Sequence, residues 1–220
     1  MSVEYKPDGI VQSYVTEYMR AELKKNDGIL KELEEYAQKH DVPIVSPETA
    51  KLISVLAHMI RPCNILEIGC AIGYSSIILA GALKEGGCIT TLEYDPDAAQ
   101  TARENIKKAG LSDTVNVVCA DAKDYLPALN GVYDYIFLDG PKAHYVYMLD
   151  DCVRLLRKGG ILVSDNILYK GMTASDELVI RRKITIVKRL REYISALCGR
   201  GDLETSIIPI GDGIAVSIKK

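Results

Sequence analysis

The chain has 220 residues, 48% hydrophobic and 26% charged, the profile of a soluble globular protein long enough to bury a full core in one domain. No apolar stretch approaches the roughly 20 residues that cross a bilayer. The charged Met1–Lys25 segment lacks the apolar core of a signal peptide, so a cytoplasmic location without a membrane partner is expected. The net charge of −3 is uneven: from Lys170 onward ten Lys/Arg stand against six Asp/Glu, which suits either a nucleic-acid-facing surface or one solvated helix.

Apolar residues at three- and four-residue spacing predict helices over Val11–Lys24 and Asp27–His40. Ser46, an N-cap followed by Pro47 at the first helical position, starts a third helix that runs to about Arg61 and stops before Pro62. The pattern then alternates. Apolar runs at Asn64–Ile68, Cys88–Leu92, Val115–Cys119, Tyr133–Leu138 and Gly160–Val163 read as strands. Between them lie predicted helices at Ser75–Lys84, Pro96–Ala109, Ala122–Leu129 and Tyr145–Arg157. Continuously apolar strands alternating with helices indicate an α/β fold with a parallel sheet covered on both faces. A long helix is expected over about Asp176–Leu197. Two last strands follow, Glu204–Pro209 and Ile214–Ile218, joined by the hairpin signal Gly211-Asp212-Gly213. The expected whole is a single domain over 1–220, with N-terminal helices in 1–45 and the core in 46–220.

Six cysteines, none in a C-x-x-C pair, read as reduced and mostly buried thiols rather than a zinc site or redox pair.

Leu66-Glu67-Ile68-Gly69-Cys70-Ala71-Ile72-Gly73 lies where the first parallel strand turns into a helix. Glycines there let backbone approach a ligand, and the helix start offers free N–H groups. Three residues separate the glycines, so G-x-G-x-x-G fails and a dinucleotide oxidoreductase is disfavoured. Glu93, 24 residues after Gly69, ends the second strand where an acid can accept from both ribose hydroxyls. Asp121-Ala122 ends the third strand, where an adenine would be flanked, although a strand-end acid also serves simply to cap the next helix. Asp95 reads as such a cap.

Phe137-Leu138-Asp139-Gly140-Pro141-Lys142 and Leu162-Val163-Ser164-Asp165-Asn166 close the fourth and fifth strands. Two carboxylates and an amide oxygen suit a hard cation, Mg²⁺ first, then Mn²⁺ or Ca²⁺. Without a neighbouring Cys or His, zinc is disfavoured.

Val45-Ser46-Pro47-Glu48, Leu66–Ser76, Glu93, Asp139-Gly-Pro-Lys142 and Asp165-Asn166 together resemble the cation-dependent O-methyltransferases, which include the catechol and caffeoyl-CoA enzymes. The resemblance covers about residues 30–220. It implies a Rossmann-like methyltransferase fold, with a seven-stranded, mostly parallel sheet and a C-terminal antiparallel hairpin. It also implies S-adenosylmethionine as cofactor and a homodimer. By the same resemblance Asp139, Asp165 and Asn166 hold the metal and Lys142 is the general base. Val45, Gly69, Gly73, Tyr74, Ser75, Glu93, Asp121, Ala122 and Asp139 line the cofactor pocket.

An acceptor with two adjacent oxygens would chelate the cation and release its proton to Lys142. The absence of Trp, Pro141 beside the base, and Gly213-Ile214-Ala215 without an acid depart from the catechol-methylating members. Ala71–Ser75, Asp165–Gly171 and Ile207–Gly213 bring the chain nearer in likeness to the bacterial tRNA 5-hydroxyuridine methyltransferases. The expected acceptor is therefore 5-hydroxyuridine in tRNA, with a small catechol or caffeoyl-CoA-like phenolic as the alternative. Arg181-Arg182-Lys183 and Lys188-Arg189-Arg191 are the candidate phosphate contacts.

Overall fold

A computed structural model of the chain describes residues 10–220; part of the predicted N-terminal segment, residues 1–9, lies outside the described residues. Three helices come first: α1 (Ser13–Glu22), α2 (Gly28–His40) and α3 (Pro47–Ile60). The Ser46 hydroxyl accepts from Thr49 N–H and Pro47 occupies the first turn of α3, as the capping signal predicts.

Alternation follows: β1 (Asn64–Ile68), α4 (Tyr74–Ala80), β2 (Cys88–Glu93), α5 (Pro96–Lys108), β3 (Val115–Cys119), α6 (Ala122–Tyr125), β4 (Tyr133–Leu138), α7 (Tyr145–Leu155) and β5 (Leu156–Ser164). The chain ends in α8 (Ile184–Gly199), β6 (Leu203–Ile208) and β7 (Ile214–Lys219). The seven strands form one sheet in the order β3-β2-β1-β4-β5-β7-β6, parallel from β3 to β5 and antiparallel at β7 and β6. This is the seven-stranded, mostly parallel sheet with a C-terminal antiparallel hairpin that the resemblance implied.

Each central strand is buried on both faces. Ile65, Phe137 and Val163 pack with α2–α5 in one core, while Leu66, Ile136 and Leu162 pack with α7 and α8 in the other. Dispersal of apolar residues to both sides is what makes these strands read as unbroken runs. Among the described residues, no helix is long and apolar enough to cross a membrane.

Three expectations are corrected. The helix predicted from Asp176 begins only at Ile184. Before it come two isolated 3-10 turns, Asp176–Leu178 and Arg181–Lys183, separated by extended backbone at Val179 and Ile180. These β-branched residues favour helix poorly. Arg191 reaches from α8 to the carbonyls of Met172 and Thr173 and to Asp176, fixing the segment as a loop. Pro127 likewise ends α6 early and hands the chain to a 3-10 turn at Leu126–Ala128. Of the cysteines only Cys70 and Cys152 are buried; Cys63, Cys88, Cys119 and Cys198 are exposed, and all six are free thiols. Cys88 and Cys119 occupy the outer ends of their strands rather than the buried middles.

Candidate active site

Ile68, Leu138 and Ser164 form one row across β1, β4 and β5. Gly69, Asp139 and Asp165 are therefore the first residues past the ends of three neighbouring strands. The order reverses between β1 and β4, and a crevice opens at such a switch point. Here it is a cleft of ≈ 1190 Å³, lined from one end to the other by Val45, Gly69, Glu93, Asp121, Ala122, Asp139, Lys142, Asp165 and Asn166, among others.

The glycine turn is left-handed at Gly69 (φ 89°), Ala71 (φ 46°) and Gly73 (φ 84°). At Gly69 a Cβ would lie 2.6 Å from the Asp139 carbonyl oxygen, so β1 and β4 can approach there only without a side chain. The turn is held from two sides. Asn105 on α5 donates to Ile72 O at 3.0 Å, and Glu93 accepts from Ala71 N–H at 2.9 Å and from Asp95 N–H at 3.1 Å. Among the described residues each Glu93 oxygen has one such partner, which leaves lone pairs for hydroxyls in the cleft.

Asp121 caps α6 through Lys123 N–H at 2.9 Å and also lines the cleft; Asp95 caps α5 through Ala98 N–H. Gly73, Tyr74 and Ser75 stand behind the turn and do not line the cleft. Gly73 packs against Ala102, the Tyr74 hydroxyl bonds Glu34 and Asn26, and Ser75 is buried. Tyr74 thus ties α4 to α2, and Gly73 lets α5 approach the turn.

At the other end Lys142 Nζ donates to Asp139 Oδ1 at 2.5 Å. Asp165 is only 3% exposed, and its Oδ1 accepts from Asn166 N–H at 2.6 Å. Burial, and next the neighbouring Asp139, push the Asp165 carboxyl above the usual carboxylate range, with Lys142 opposing. Two close carboxylates facing one lysine form a centre short of positive charge. The donor set is all hard oxygen, so it fits a divalent cation held by Asp139, Asp165 and Asn166. Among the described residues no three His, Cys, Asp or Glu groups gather to hold a metal. A cation here would thus depend on the Asn166 amide and on oxygens from outside the protein.

Asn166 is left-handed (φ 54°), as are Tyr169 and Lys170 in the loop that follows. The Gly211–Gly213 turn supports this loop: Ile167 N–H and Leu168 N–H donate to Gly213 O and Asp212 O, and Asp212 accepts from Lys170 N–H. A Cβ on Gly213 would fall 2.4 Å from Leu168 Cγ.

Sequence reasoning missed Arg20, Lys170 and Asp212, all of which line the cleft. It also missed Tyr145, buried beneath the two acidic motifs. The hairpin signal pointed to Asp212 only as a turn residue; Arg20 carried no local signal, because its partner Glu48 is 28 residues away.

Residues 20–220 match the family model described as O-methyltransferase. A catechol O-methyltransferase of Niastella koreensis is 40% identical over 131 residues. That alignment takes in 58% of this chain and 59% of the relative, so the match spans about three-fifths of either protein. A caffeoyl-CoA O-methyltransferase of Stellaria longipes is 28% identical over 197 residues, 84% of this chain and 80% of its own. The solved O-methyltransferase from Bacillus cereus in complex with SAH superposes with a TM-score of 0.83 at 28% identity, covering 94% of this chain and 97% of that one. The family model spans nearly the whole chain and the fold agrees with it: the chain belongs to the O-methyltransferase family.

Proposed function

We propose that the protein transfers a methyl group to a hydroxyl that has a second oxygen beside it, and that this acceptor is 5-hydroxyuridine in tRNA. The observation that carries the reaction class is the convergence of Asp139, Lys142, Asp165 and Asn166 on one end of a cleft whose other end holds Gly69, Glu93, Asp121 and Ala122. S-adenosylmethionine would supply the methyl group, and a divalent cation at Asp139, Asp165 and Asn166 would draw charge from the acceptor oxygens.

The protein's own part is binding, orientation and proton movement. Glu93 accepts from the ribose hydroxyls of the cofactor, and the glycine turn lets its backbone pass close. Lys142 would take the acceptor proton at Nζ as the neutral amine, after it has left Asp139 and given its own proton to solvent. Holding both reactants in one cleft accounts for a large share of the expected rate.

The tRNA reading draws support from basic side chains that the fold leaves unengaged. Arg181, Arg182 and Lys188 are exposed and make no ion pair among the described residues, and exposed Lys170 lines the cleft. Arg189 and Arg191 are engaged within the fold, by the Ala143 carbonyl and by the 172–176 loop. The second reading, a small phenolic acceptor, is favoured by the catechol and caffeoyl-CoA activities named for the relatives.

A labelled methyl-transfer assay with 5-hydroxyuridine tRNA, caffeoyl-CoA and simple catechols, in Mg²⁺ and then in chelator, separates these. We expect turnover of the tRNA, lost in chelator, and a fall of at least about 100-fold for both Asp139→Ala and Lys142→Ala. Transfer confined to the phenolics would discard the tRNA acceptor. Full transfer by Asp139→Ala in chelator would discard the cation.

A further inference from the structure

Tyr145 opens α7 three residues after Lys142 and is completely buried under the acceptor end of the cleft. Its hydroxyl lies 3.0 Å from Leu138 O and 3.1 Å from Asp165 O. These carbonyls belong to the residue before Asp139 and to Asp165 itself. The β4–β5 ladder has its last paired row at Leu138 and Ser164, with one further bond from Asp165 N–H to Leu138 O at 3.0 Å. Past that point the two strands have no shared ladder, yet both acidic side chains begin there. The Tyr145 hydroxyl occupies the place where the next rung would be. Its ring also lies under Lys142, with Nζ 5.5 Å from the ring centre, and meets Tyr193 edge-on at 5.3 Å.

We propose that Tyr145 is a positioning residue for the reaction centre: one buried hydroxyl pins the ends of β4 and β5 and so sets the spacing of Asp139 and Asp165, while its ring fixes Lys142. This rests on the cation reading given above. Tyr145 touches neither acceptor nor cofactor; it acts through the residues that do. Groups that orient metal ligands from behind typically change metal affinity or activity 10- to 100-fold when lost.

The test is Tyr145→Phe in the full chain, which keeps the ring and removes the hydroxyl. Three quantities are read: amide exchange at Asp165 and Asn166, Mn²⁺ binding by electron paramagnetic resonance, and S-adenosylmethionine binding by calorimetry. Tyr193→Phe is the comparison, since it removes an equally buried hydroxyl that bonds the Ser164 side chain and no backbone carbonyl. Expected for Tyr145→Phe are exchange about 10-fold faster at the two amides, Mn²⁺ affinity weaker by about 10- to 100-fold, and cofactor affinity within twofold. Tyr193→Phe is expected to leave Mn²⁺ affinity within twofold. Unchanged exchange in Tyr145→Phe overturns the proposal, as does an equal Mn²⁺ loss in Tyr193→Phe. Loss of cofactor binding along with Mn²⁺ also overturns it, since Tyr145 would then support the whole fold. If the wild type binds no Mn²⁺ the cation reading falls instead, and the exchange rates still decide whether Tyr145 pins the strand ends.

Discussion

Glu67 is 0% exposed in the middle of the sheet, one residue before Ile68 and two before the glycine turn. Its Oε2 accepts from the Ser76 hydroxyl, whereas Oε1 and the neighbouring Thr91 hydroxyl are buried with no partner among the described residues. Burial pushes its carboxyl above the ordinary range, more than the nearby hydroxyls can offset. A raised carboxyl pKa means that the native state holds a proton which the unfolded chain has given up. Stability from this site is therefore full below the unfolded value of about 4.3 and declines as pH rises toward the folded one. Glu67→Gln keeps the shape and cannot ionise. It should melt higher than the wild type at pH 7.5. The two should converge below pH 4. A Glu67→Gln melting point equal to or below the wild type at pH 7.5 would show that the carboxylate is charged and usefully paired.

Among the elements, α1 is the least anchored: it has no buried residue, yet Val11, Thr16 and Arg20 on or beside it line the cleft. Its tie to the body is a bidentate pair, with Arg20 Nε and Nη2 donating to the two Glu48 oxygens at 2.8 and 2.9 Å. Glu48 is 4% exposed. Burial pushes its carboxyl up, but Arg20 together with Ser46 outweighs this and holds it below its usual value. The tie is thus complete above about pH 4.3 and lost as pH falls through the depressed folded value. Because Arg20 is half exposed, Arg20→Ala should cost only about 1 kcal/mol globally. Locally it should free α1, with amide protection over Ser13–Glu22 falling to near that of an open helix and the cofactor dissociating faster. Protection that survives Arg20→Ala would mean the helix is held by something else.

That contrast bears on what the sequence reveals. Strand-end acids after apolar runs, such as Asp139 and Asp165, are legible because burial and chemistry sit side by side in the chain. The Arg20–Glu48 tie and the Tyr145 hydroxyl are not, since each depends on a partner brought near only by folding. The helix start before α8 was misjudged because the charge pattern of Asp176–Lys183 suits a helix face, whereas extended Val179 and Ile180 and the hold of Arg191 on the loop exclude one. Tyr74 and Ser75, which the resemblance gives to the cofactor, are buried and bonded into the fold and are not among the residues that line the cleft.

Over the whole molecule the net charge of −3 conceals a basic C-terminal part, where ten Lys/Arg face six Asp/Glu, opposite a more acidic remainder. Not all of that excess borders the cleft: Lys219 pairs with Leu203 and reaches the Val153 and Leu156 carbonyls at the far end of the sheet, and Arg200 is tied to Asp150 and Asp202. On the tRNA reading, Arg181 and Arg182 are the strongest candidates for phosphate contacts, being exposed and outside the ties that hold Arg189 and Arg191. Each contact releases counterions, so the slope of log K against log salt falls by about 0.7–0.9 per contact removed. The double variant Arg181→Ala/Arg182→Ala should therefore bind tRNA more weakly at low salt, with a slope shallower by about 1.5. Cofactor affinity, and methylation of any small chelating diol the wild type accepts, should not change. Filter binding over a salt series measures this directly. An unchanged slope would remove this face from the tRNA reading, and activity lost equally on tRNA and diol would mean the two arginines support the site itself.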